Sequence, residues 1–480
     1  MNHNPLPDNL NDNETNSSLS RRRFLNLAAG AGAAGAAALL LPGSASAATK
    51  TATKLATKGF TKTTIPGLSS KYAKVKPAIE ITYWSAHPAK SKPVEEILIK
   101  RFNEANPNIK VNLQTAGANY AEIAQKFNAA IAAKQVPDLV MLSDVWWFKY
   151  ALAKAITPLN DLLAFEKVDV ADFQPSLIDD YKYNNSQWAL PFARSTPLFY
   201  YNKRLWSAAG LPDRGPDTWA EFETWAPKLQ EKLGSSDKFP FSLVKGDSYI
   251  AWTFQNIMWG QGGQYSTPDF KLTLDTSEAI AAGQFVRDQV YTKKYANVTS
   301  KSETDDFLAE LNGCIVSSTG GLSGVLNGAK GKFDVGTAFL PKGPKGFGCP
   351  TGGAGLAIPE GIPDENKVAA MKFLAFMTST DSTAFYSASV GYMPVRKSAV
   401  EGPVMTRVYK DRPQFRTAVD QLAKTRSQDS ARVFIPGGDA ILGKALESMV
   451  LNNGDPKTAW ATAATALQQI IDTEVKPRLA

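Results

Sequence analysis

The sequence predicts an α/β protein with two compact units, and three observations carry that prediction. The chain has 480 residues, 44% of them hydrophobic, and this length exceeds what one hydrophobic core usually serves. Charged residues make up 20%, a fraction too low for a disordered or coiled-coil chain. Between residues 78 and 142, short apolar runs alternate with amphipathic patterns in the order βαβαβ, which indicates a mostly parallel sheet covered by helices.

The individual elements follow from the periodicity of the apolar residues. In the first helical pattern, for example, Val94, Leu98 and Phe102 fall on one face. Continuous or alternating apolar runs predict strands at 80–84, 109–113, 138–142, 239–244, 314–318, 333–340 and 355–358. Apolar residues at helical spacing predict helices at 93–105, 120–133, 218–233, 248–259, 277–291, 302–311, 365–377, 382–390, 438–451 and 456–471.

The N-terminal segment carries the features of an export signal. Arginines at positions 21–23 precede an Ala/Gly-rich apolar run and the A-x-A site at 45–47, a pattern that predicts a twin-arginine signal peptide over residues 1–47. We therefore expect export to the periplasm or to the outer face of the cell membrane. A membrane anchor is the competing interpretation, but glycines dilute the run, which barely reaches spanning length. The Lys/Thr-rich residues 48–77 are predicted to be a solvated linker.

The residue inventory argues against several chemistries. The formal net charge is +8, but no aromatic-basic ribbon or zinc pattern favours nucleic acid. His87 is the one histidine beyond the signal, so a Ser-His-Asp or Cys-His site would need it, and no G-x-S-x-G motif occurs. No metal-binding or phosphate-loop motif is present, and no cofactor is expected. A pair of catalytic carboxylates stays open, because two acids can converge from anywhere in a chain.

Two cysteines leave two alternatives. Cys314 lies in a predicted apolar strand and Cys349 in a loop rich in glycine and proline. They either form a disulfide after export, or remain as one buried and one exposed thiol.

Six segments together carry a resemblance to a known family. They are RFNEANPNIKV, VPDLVMLSD, PFARSTPLFYYNKRLWSAAGLP, NGCIVSSTGG, GGAGLAIP and GYMPVRKSA, and the likeness around them runs from about residue 78 to near the C-terminus. In this order they resemble the extracellular solute-binding proteins of carbohydrate-type ABC importers. Within that family the sequence looks most like the subgroup that binds glycerol 3-phosphate and glycerophosphodiesters.

The resemblance implies the two-lobed periplasmic-binding-protein-like fold of type II, in which hinge strands join two α/β lobes that close on a ligand. Lobe 1 then comprises residues 78–192 and 352–392, and lobe 2 comprises 193–351 and 393–480. The hinge crossings fall near 191–195, 341–352 and 391–396.

The resemblance also implies a function. It implies a monomeric, non-enzymatic protein that captures sn-glycerol 3-phosphate or a glycerophosphodiester such as glycerophosphocholine for ABC permease subunits in the membrane. A neutral or amino sugar is the alternative ligand within the same family. An exported carboxylate-dependent carbohydrate-active enzyme is the alternative from another class.

Some ligand-binding residues are implied by position in the family motifs. These are Tyr120, Asp144, Ser195, Gly352, Gly353, Tyr392 and Arg432. A carboxylate at Asp144 accepts ligand hydroxyls, although a helix cap is its competing role. The guanidinium of Arg432 fits phosphate bidentately, whereas an ungapped match places Asp439 there, which would repel phosphate. An ordinary surface arginine is the other interpretation of Arg432.

Other candidate residues follow from their chemistry. Trp219, Tyr249 and Trp252 offer aromatic walls for a quaternary ammonium or a sugar face, with the core as the alternative place for Trp219. Ser318, Thr319, Gly320 and Gly321 end a predicted strand, where free N–H groups at the start of a helix attract an anion.

Overall fold

The computed structural model describes residues 71–86, 89–299 and 302–479. The predicted signal peptide, all but the last residues of the predicted linker, and His87 lie outside the described residues. Within the described ranges, no helix is both long enough and apolar enough to cross a membrane. Tyr72, inside the predicted linker, is buried and its ring lies 6.4 Å from that of Phe165, so packed structure begins before residue 78.

The strands form two five-stranded sheets and a short hairpin. Their bounds are β1 Glu80–Ala86, β2 Lys110–Gly117, β3 Leu139–Ser143, β4 Lys182–Tyr183, β5 Ser186–Gln187, β6 Leu190–Ser195, β7 Pro197–Asn202, β8 Phe239–Leu243, β9 Ala296–Val298, β10 Asn312–Ser318, β11 Val335–Ala338 and β12 Gly352–Ala357. We call the sheet with strand order β2-β1-β3-β12-β6 sheet A, and the sheet with order β11-β7-β10-β8-β9 sheet B.

Helices cover both sheets. Their bounds are Lys92–Ala105, Tyr120–Ala133, Trp147–Leu152, Asn160–Phe165, Pro175–Ile178, Lys203–Ala208, Trp219–Leu233, Asp247–Thr253, Gln255–Gly260, Ser277–Tyr291, Glu303–Leu308, Leu322–Ala329, Asp364–Met377, Thr380–Val390, Lys397–Val400, Pro403–Asp411, Gln414–Leu422, Ser430–Val433, Gly438–Leu451, Pro456–Ile470 and Lys476–Leu479. Single helical turns occur at Asp179–Tyr181, Thr319–Gly321 and Ile471–Val475.

Local chemistry sets several of these bounds. The side chain of Asn119 accepts a hydrogen bond from the N–H of Glu122 and so caps the helix Tyr120–Ala133. Glu310 has a φ of 58°, so the left-handed backbone there ends the helical pattern, which was predicted to run to residue 311. The predicted helix 248–259 is two helices that meet at Phe254.

Parallel pairing is confined to part of each sheet. The strands of the βαβαβ unit, β1 with β2 and β1 with β3, are parallel as predicted. However, β12 is antiparallel to both β3 and β6, and β7 is antiparallel to both β10 and β11. The prediction of a mostly parallel sheet therefore holds for β1 to β3, whereas β12 lies antiparallel between β3 and β6, so β6 has no parallel neighbour.

The chain passes between the sheets at short segments. Strand β6 belongs to sheet A and β7 to sheet B, with Thr196 as the single residue between them. The backbone N–H of Thr319 donates to the carbonyl of Thr196 at 3.0 Å. The predicted crossing near 391–396 contacts the crossing at β6, where the N–H of Met393 donates to the carbonyl of Arg194 at 2.8 Å. The exact lobe bounds at 192 and 352 stay a prediction.

Two hydrophobic clusters form the core. The first surrounds sheet A and continues onto one face of sheet B, where it includes Tyr200 and Ile315. The second contains the other face of sheet B and the helices packed on it, with Phe222 and Trp460 fully covered. The boundary between the two cores thus does not follow the division between the two sheets.

Both cysteines are buried and free, which corrects both alternatives drawn from the sequence. Cys314 lies in β10, and its thiol donates to the carbonyl of Pro240 at 3.2 Å. Cys349 is fully covered within the second hydrophobic cluster, although its loop is rich in glycine and proline. Burial raises the pKa of both thiols well above the usual value, so both remain unreactive in the folded protein.

One acidic side chain is buried beneath sheet A. Glu95, in the first turn of the helix Lys92–Ala105, is completely inaccessible to solvent. Burial raises its pKa to about 7, although the hydroxyl groups of Ser85 and Ser91 oppose this shift. Its ordinary value is 4.5, so between pH 4.5 and 7 the folded protein binds a proton that the unfolded chain releases.

We expect Glu95 to make the protein less stable as the pH rises through this window. The free energy of unfolding of the natural protein should fall by about 2 kcal/mol more between pH 5 and pH 8 than that of Glu95→Gln, which is neutral throughout. Urea unfolding followed by tryptophan fluorescence at both pH values measures the difference. Glu96→Gln, at an exposed neighbouring position, is the control and should behave like the natural protein. An unchanged pH difference in Glu95→Gln would contradict the assignment.

Candidate functional site

A buried cluster of charged side chains lies where the two sheets meet. Asp144 follows β3, and its N–H donates to the carbonyl of Gly353 at 2.9 Å. One carboxylate oxygen accepts from Ser143 at 2.9 Å, and the other accepts from the amide of Gln428 at 2.5 Å. Because Asp144 is only 5% exposed, these contacts replace solvent around its charge.

Two arginines flank this carboxylate. An Nη1 of Arg194, in β6, lies 4.0 Å from Oδ2 of Asp144. An Nη1 of Arg432, in the helix Ser430–Val433, lies 4.0 Å from the same oxygen. Arg432 is 4% exposed, so it is not an ordinary surface arginine. Of the two alternatives from the sequence, Arg432 is the one that pairs with Asp144, whereas Asp439 begins the helix Gly438–Leu451.

A second acid completes the cluster on the sheet A side. Arg194 is fully buried and forms an ion pair with Asp180 through Nη2. Its Nη1 donates to the hydroxyl of Tyr181 at 2.9 Å, and Thr351 donates to Asp180 at 2.6 Å. We call Asp144, Asp180, Arg194, Gln428 and Arg432 the polar cluster.

Burial and pairing act in opposite directions on the charges of this cluster. Burial raises the pKa of Asp180 to about 6, against the effect of Arg194 and the hydrogen bond from Thr351. Burial alone would lower the pKa of Arg194, but Tyr181, Asp180 and Asp144 raise it overall, so the guanidinium keeps its charge. Near neutral pH, two carboxylates and two guanidiniums therefore balance each other away from water.

Glutamine side chains extend the cluster towards sheet B. The Oε1 of Gln428 accepts from the amide of Gln255 at 3.0 Å and from Arg432. The amide of the same Gln428 donates to Asp144. Gln428 thus joins elements packed on sheet B to the end of a strand in sheet A.

An aromatic pair lies beside the cluster. The indole N–H of Trp252 donates to the carbonyl of Thr351 at 2.9 Å, and the ring of Tyr249 lies 5.6 Å from that of Trp252. A Cβ atom at Gly352 would lie 2.6 Å from the indole, so glycine is needed for this approach. Gly353 has a φ of 104°, a backbone conformation that other residues rarely adopt.

Two tyrosines meet on the other side of Arg194. The hydroxyls of Tyr120 and Tyr392 lie 3.3 Å apart, and Tyr392 stacks on Tyr386 with ring centroids 5.8 Å apart. Burial raises the pKa of Tyr120 well above its usual value, so the hydroxyl stays protonated as a donor. Tyr120 also lies within electrostatic range of Arg194, which connects this pair to the polar cluster.

The expected anion-binding backbone is already occupied. The N–H of Ser318 donates to the hydroxyl of Tyr249 at 2.8 Å, that of Thr319 to Thr196, and that of Gly320 to the side chain of Ser318. The prediction of free N–H groups is therefore wrong at 318–320, because a helix residue, the crossing residue Thr196 and the side chain of Ser318 supply acceptors. Gly321 precedes the helix Leu322–Ala329.

Two further sequence candidates have different surroundings. Ser195 pairs with Gly352 at the end of β6 and so lies next to the polar cluster. Trp219 lies in the second hydrophobic cluster, where its indole N–H donates to Asn256 at 2.8 Å and its ring meets that of Phe241 at 5.5 Å. Trp219 is therefore a residue of the hydrophobic core, which was its alternative role, and does not form an aromatic wall.

Sequence reasoning missed part of the polar cluster. Arg194 had a local signal, since it is a charged residue within the apolar run of β6, and every residue of that strand is buried. Asp180, Thr351 and Gln428 come from three separate segments and have no such signal. Among the described residues, no three His, Cys, Asp or Glu side chains are grouped so that they could hold a metal ion.

The chain is similar to a known protein family and to proteins of known structure. The model of the bacterial extracellular solute-binding protein family matches residues 85–384. The crystal structure of UgpB from Mycobacterium tuberculosis in complex with glycerophosphocholine is 45% identical, with a TM-score of 0.79 over 82% of this chain and 99% of that one. The sn-glycerol-3-phosphate-binding periplasmic protein UgpB of Escherichia coli K12 is 24% identical and covers 82% of this chain and 92% of its own length.

More distant structures have the same fold. The GacH receptor of Streptomyces glaucescens, solved with and without acarbose, is 22% identical with a TM-score of 0.72 over 83% of this chain and 100% of that one. The two-lobed α/β fold class predicted from the sequence is thereby confirmed, as is the resemblance on which that prediction rested. The family match spans more than half of the chain, and the chain therefore belongs to the bacterial extracellular solute-binding protein family.

Proposed function

We propose that this protein captures a glycerophosphodiester such as glycerophosphocholine, or sn-glycerol 3-phosphate, and delivers it to an ABC permease. The observation that carries the proposal is the 45% identity, over 82% of this chain, to a solved protein in complex with glycerophosphocholine. Such a protein binds without chemical turnover and works as a monomer outside the cytoplasm, after export by the twin-arginine route.

The composition of the polar cluster supports this ligand class. Arg432 brings a guanidinium fork suited to phosphate, and Asp144 is a hydroxyl acceptor suited to the glycerol moiety. The amide of Gln428 donates to Asp144, so a glycerol hydroxyl would take the place of that donor. A ligand with both an anionic and a hydroxyl-bearing part satisfies both residues at once.

The aromatic pair supports a phosphodiester with a cationic end. Trp252 and Tyr249 lie side by side with an angle of 30° between their rings. Aromatic faces attract a quaternary ammonium group by about 0.5–2 kcal/mol, more where water is excluded. Tyr120, Ser195 and Tyr392 complete the proposed set of contacts, together with Gly352 and Gly353, where the backbone closely approaches its neighbours.

Ligand capture requires the two halves to separate and close. We assign residues 78–192 and 352–392 to one lobe, and 193–351 and 393–480 to the other. The polar cluster draws Asp144 from the first and Arg432 from the second, so a ligand between them favours closure by its greater affinity for the closed form. The closed form is then the one that the permease recognises.

Calorimetric titration tests the ligand class. We expect tight binding of glycerophosphocholine, measurable binding of sn-glycerol 3-phosphate and none of a panel of neutral and amino-sugar disaccharides, because only the phosphate compounds match the guanidinium. Binding of a disaccharide alone would contradict the phosphate ligand. Mass spectrometry should recover the glycerophosphocholine unchanged after incubation, and a hydrolysed product would instead favour an enzyme.

Removal of the guanidinium tests the phosphate contact. Arg432→Ala should weaken glycerophosphocholine binding by about 1.5 kcal/mol or more, since a charge-assisted hydrogen bond is lost. Calorimetry with Arg416→Ala as the matched control should give the natural affinity, because Arg416 is an exposed arginine paired with Asp420. Thermal unfolding of each variant verifies that it is folded. If Arg432→Ala binds as tightly as the control, Arg432 does not contact the ligand.

A further inference from the structure

One segment of the chain contacts both halves of the protein. Residues 428–436 precede the helix Gly438–Leu451, which packs on the helix Asp247–Thr253. Ala431 and Ile435 belong to the second hydrophobic cluster, whereas Phe434 packs on the first. The side chains of this short segment are therefore divided between the two cores.

The ring of Phe434 reaches the helix that follows β3 of sheet A. It lies 4.6 Å from the ring of Phe148 and 6.0 Å from that of Trp147, the latter edge to face at 87°. Trp147 and Phe148 are buried, while Phe434 is half-buried. The two buried rings therefore form an apolar surface, and the half-buried ring of Phe434 packs against it.

Both partners of this ring contact are linked to the polar cluster, Trp147 through Tyr181 and Phe434 through its own chain segment. Trp147 lies 5.8 Å from Tyr181, which accepts the hydrogen bond from Arg194. At the start of the segment, Gln428 donates to Asp144. Phe434 itself makes ring contacts with apolar neighbours only, so it stabilises the same meeting of the two halves without belonging to the ligand-binding set.

A cavity of about 320 Å³ lies near the segment 428–436. Its lining includes Pro436 of that segment, Lys149 and Tyr150, which follow Phe148 in the chain, and Glu474 and Arg478 from the C-terminal part. Burial lowers the pKa of Lys149, and Glu474 opposes that shift across the cavity.

We propose that Phe434 is a closure latch: its ring docks on Trp147 and Phe148 when the two halves meet, and this contact sets how fast a bound ligand is released. The inference rests on the proposed function only for the identity of the ligand. The latch acts on the closed form, whereas ligand enters the open form, in which the ring is undocked. The dissociation rate therefore depends on Phe434, and the association rate does not.

Stopped-flow tryptophan fluorescence with glycerophosphocholine tests the latch. Phe434→Ala should release the ligand about tenfold faster, with an association rate within about twofold of the natural protein. Phe434→Leu keeps an apolar side chain and should fall between the two. Phe385→Ala is the matched control, since that half-buried ring faces Arg101 and should leave both rates unchanged.

Two results would overturn the latch. One is a Phe434→Ala protein, folded by circular dichroism, that releases ligand at the natural rate. The other is a loss of affinity that comes from slower association, which indicates damage to the open form. If Phe434→Ala does not fold, the same criteria apply to Phe434→Leu.

A ligand-free measurement separates the latch from the proposed function. If the natural protein fails to bind glycerophosphocholine, the proposed function fails, but small-angle scattering still compares the ligand-free proteins. Phe434→Ala should then have a larger radius of gyration than Phe385→Ala. Equal radii in that case would overturn the latch as well.

Discussion

The balance of charge in the polar cluster is the constraint on which the meeting of the two sheets depends. Asp144, Asp180, Arg194 and Arg432 are all less than 10% exposed, and a buried charge without its partner costs several kcal/mol. The four residues come from different elements, and each finds its counter-charge only when the strand, helix or turn that carries it is in place. Hydrophobic burial stabilises each core, whereas this pairing specifies how the cores are arranged.

The crossing segments and the candidate site are built from the same residues. Arg194 lies in the last strand before the chain leaves sheet A, and Thr351 immediately precedes the strand by which it returns. Gly352 and Gly353 let that returning strand approach the indole of Trp252 and the backbone of β6 more closely than a side chain would permit. A ligand bound as proposed would contact the segments about which the proposed lobes turn, and this contact would couple binding to closure.

The local pattern of apolar residues predicted most helices and strands, but it did not predict which strands and side chains pair with each other. The helices at 120–133, 277–291 and 438–451 have the predicted bounds, because an apolar stripe and a cap are properties of neighbouring residues. Strand direction in β12, the pairing of Arg194 with Asp180, and the burial of Cys349 depend on residues far away in sequence. The N–H groups near Ser318 seemed free because their acceptors, Thr196 and the hydroxyl of Tyr249, come from other segments. Family resemblance supplied Asp144 and Arg432, which no periodicity identifies.

The affinity of such a site for a ligand depends on the difference between two sets of hydrogen bonds: those that its polar groups make within the protein and those that they would make to the ligand. Asp144 accepts from Gln428, and Arg432 donates to the same glutamine, so a ligand that replaced Gln428 would gain only what it adds beyond these bonds. In the proposed function, the polar groups of the cluster decide which ligand is preferred. Apolar contacts made only on closure, such as that of Phe434 with Trp147 and Phe148, are indifferent to the ligand and shift the open and closed populations for every ligand alike. Under both proposals, specificity and residence time are controlled by different residues of one segment, 428–436.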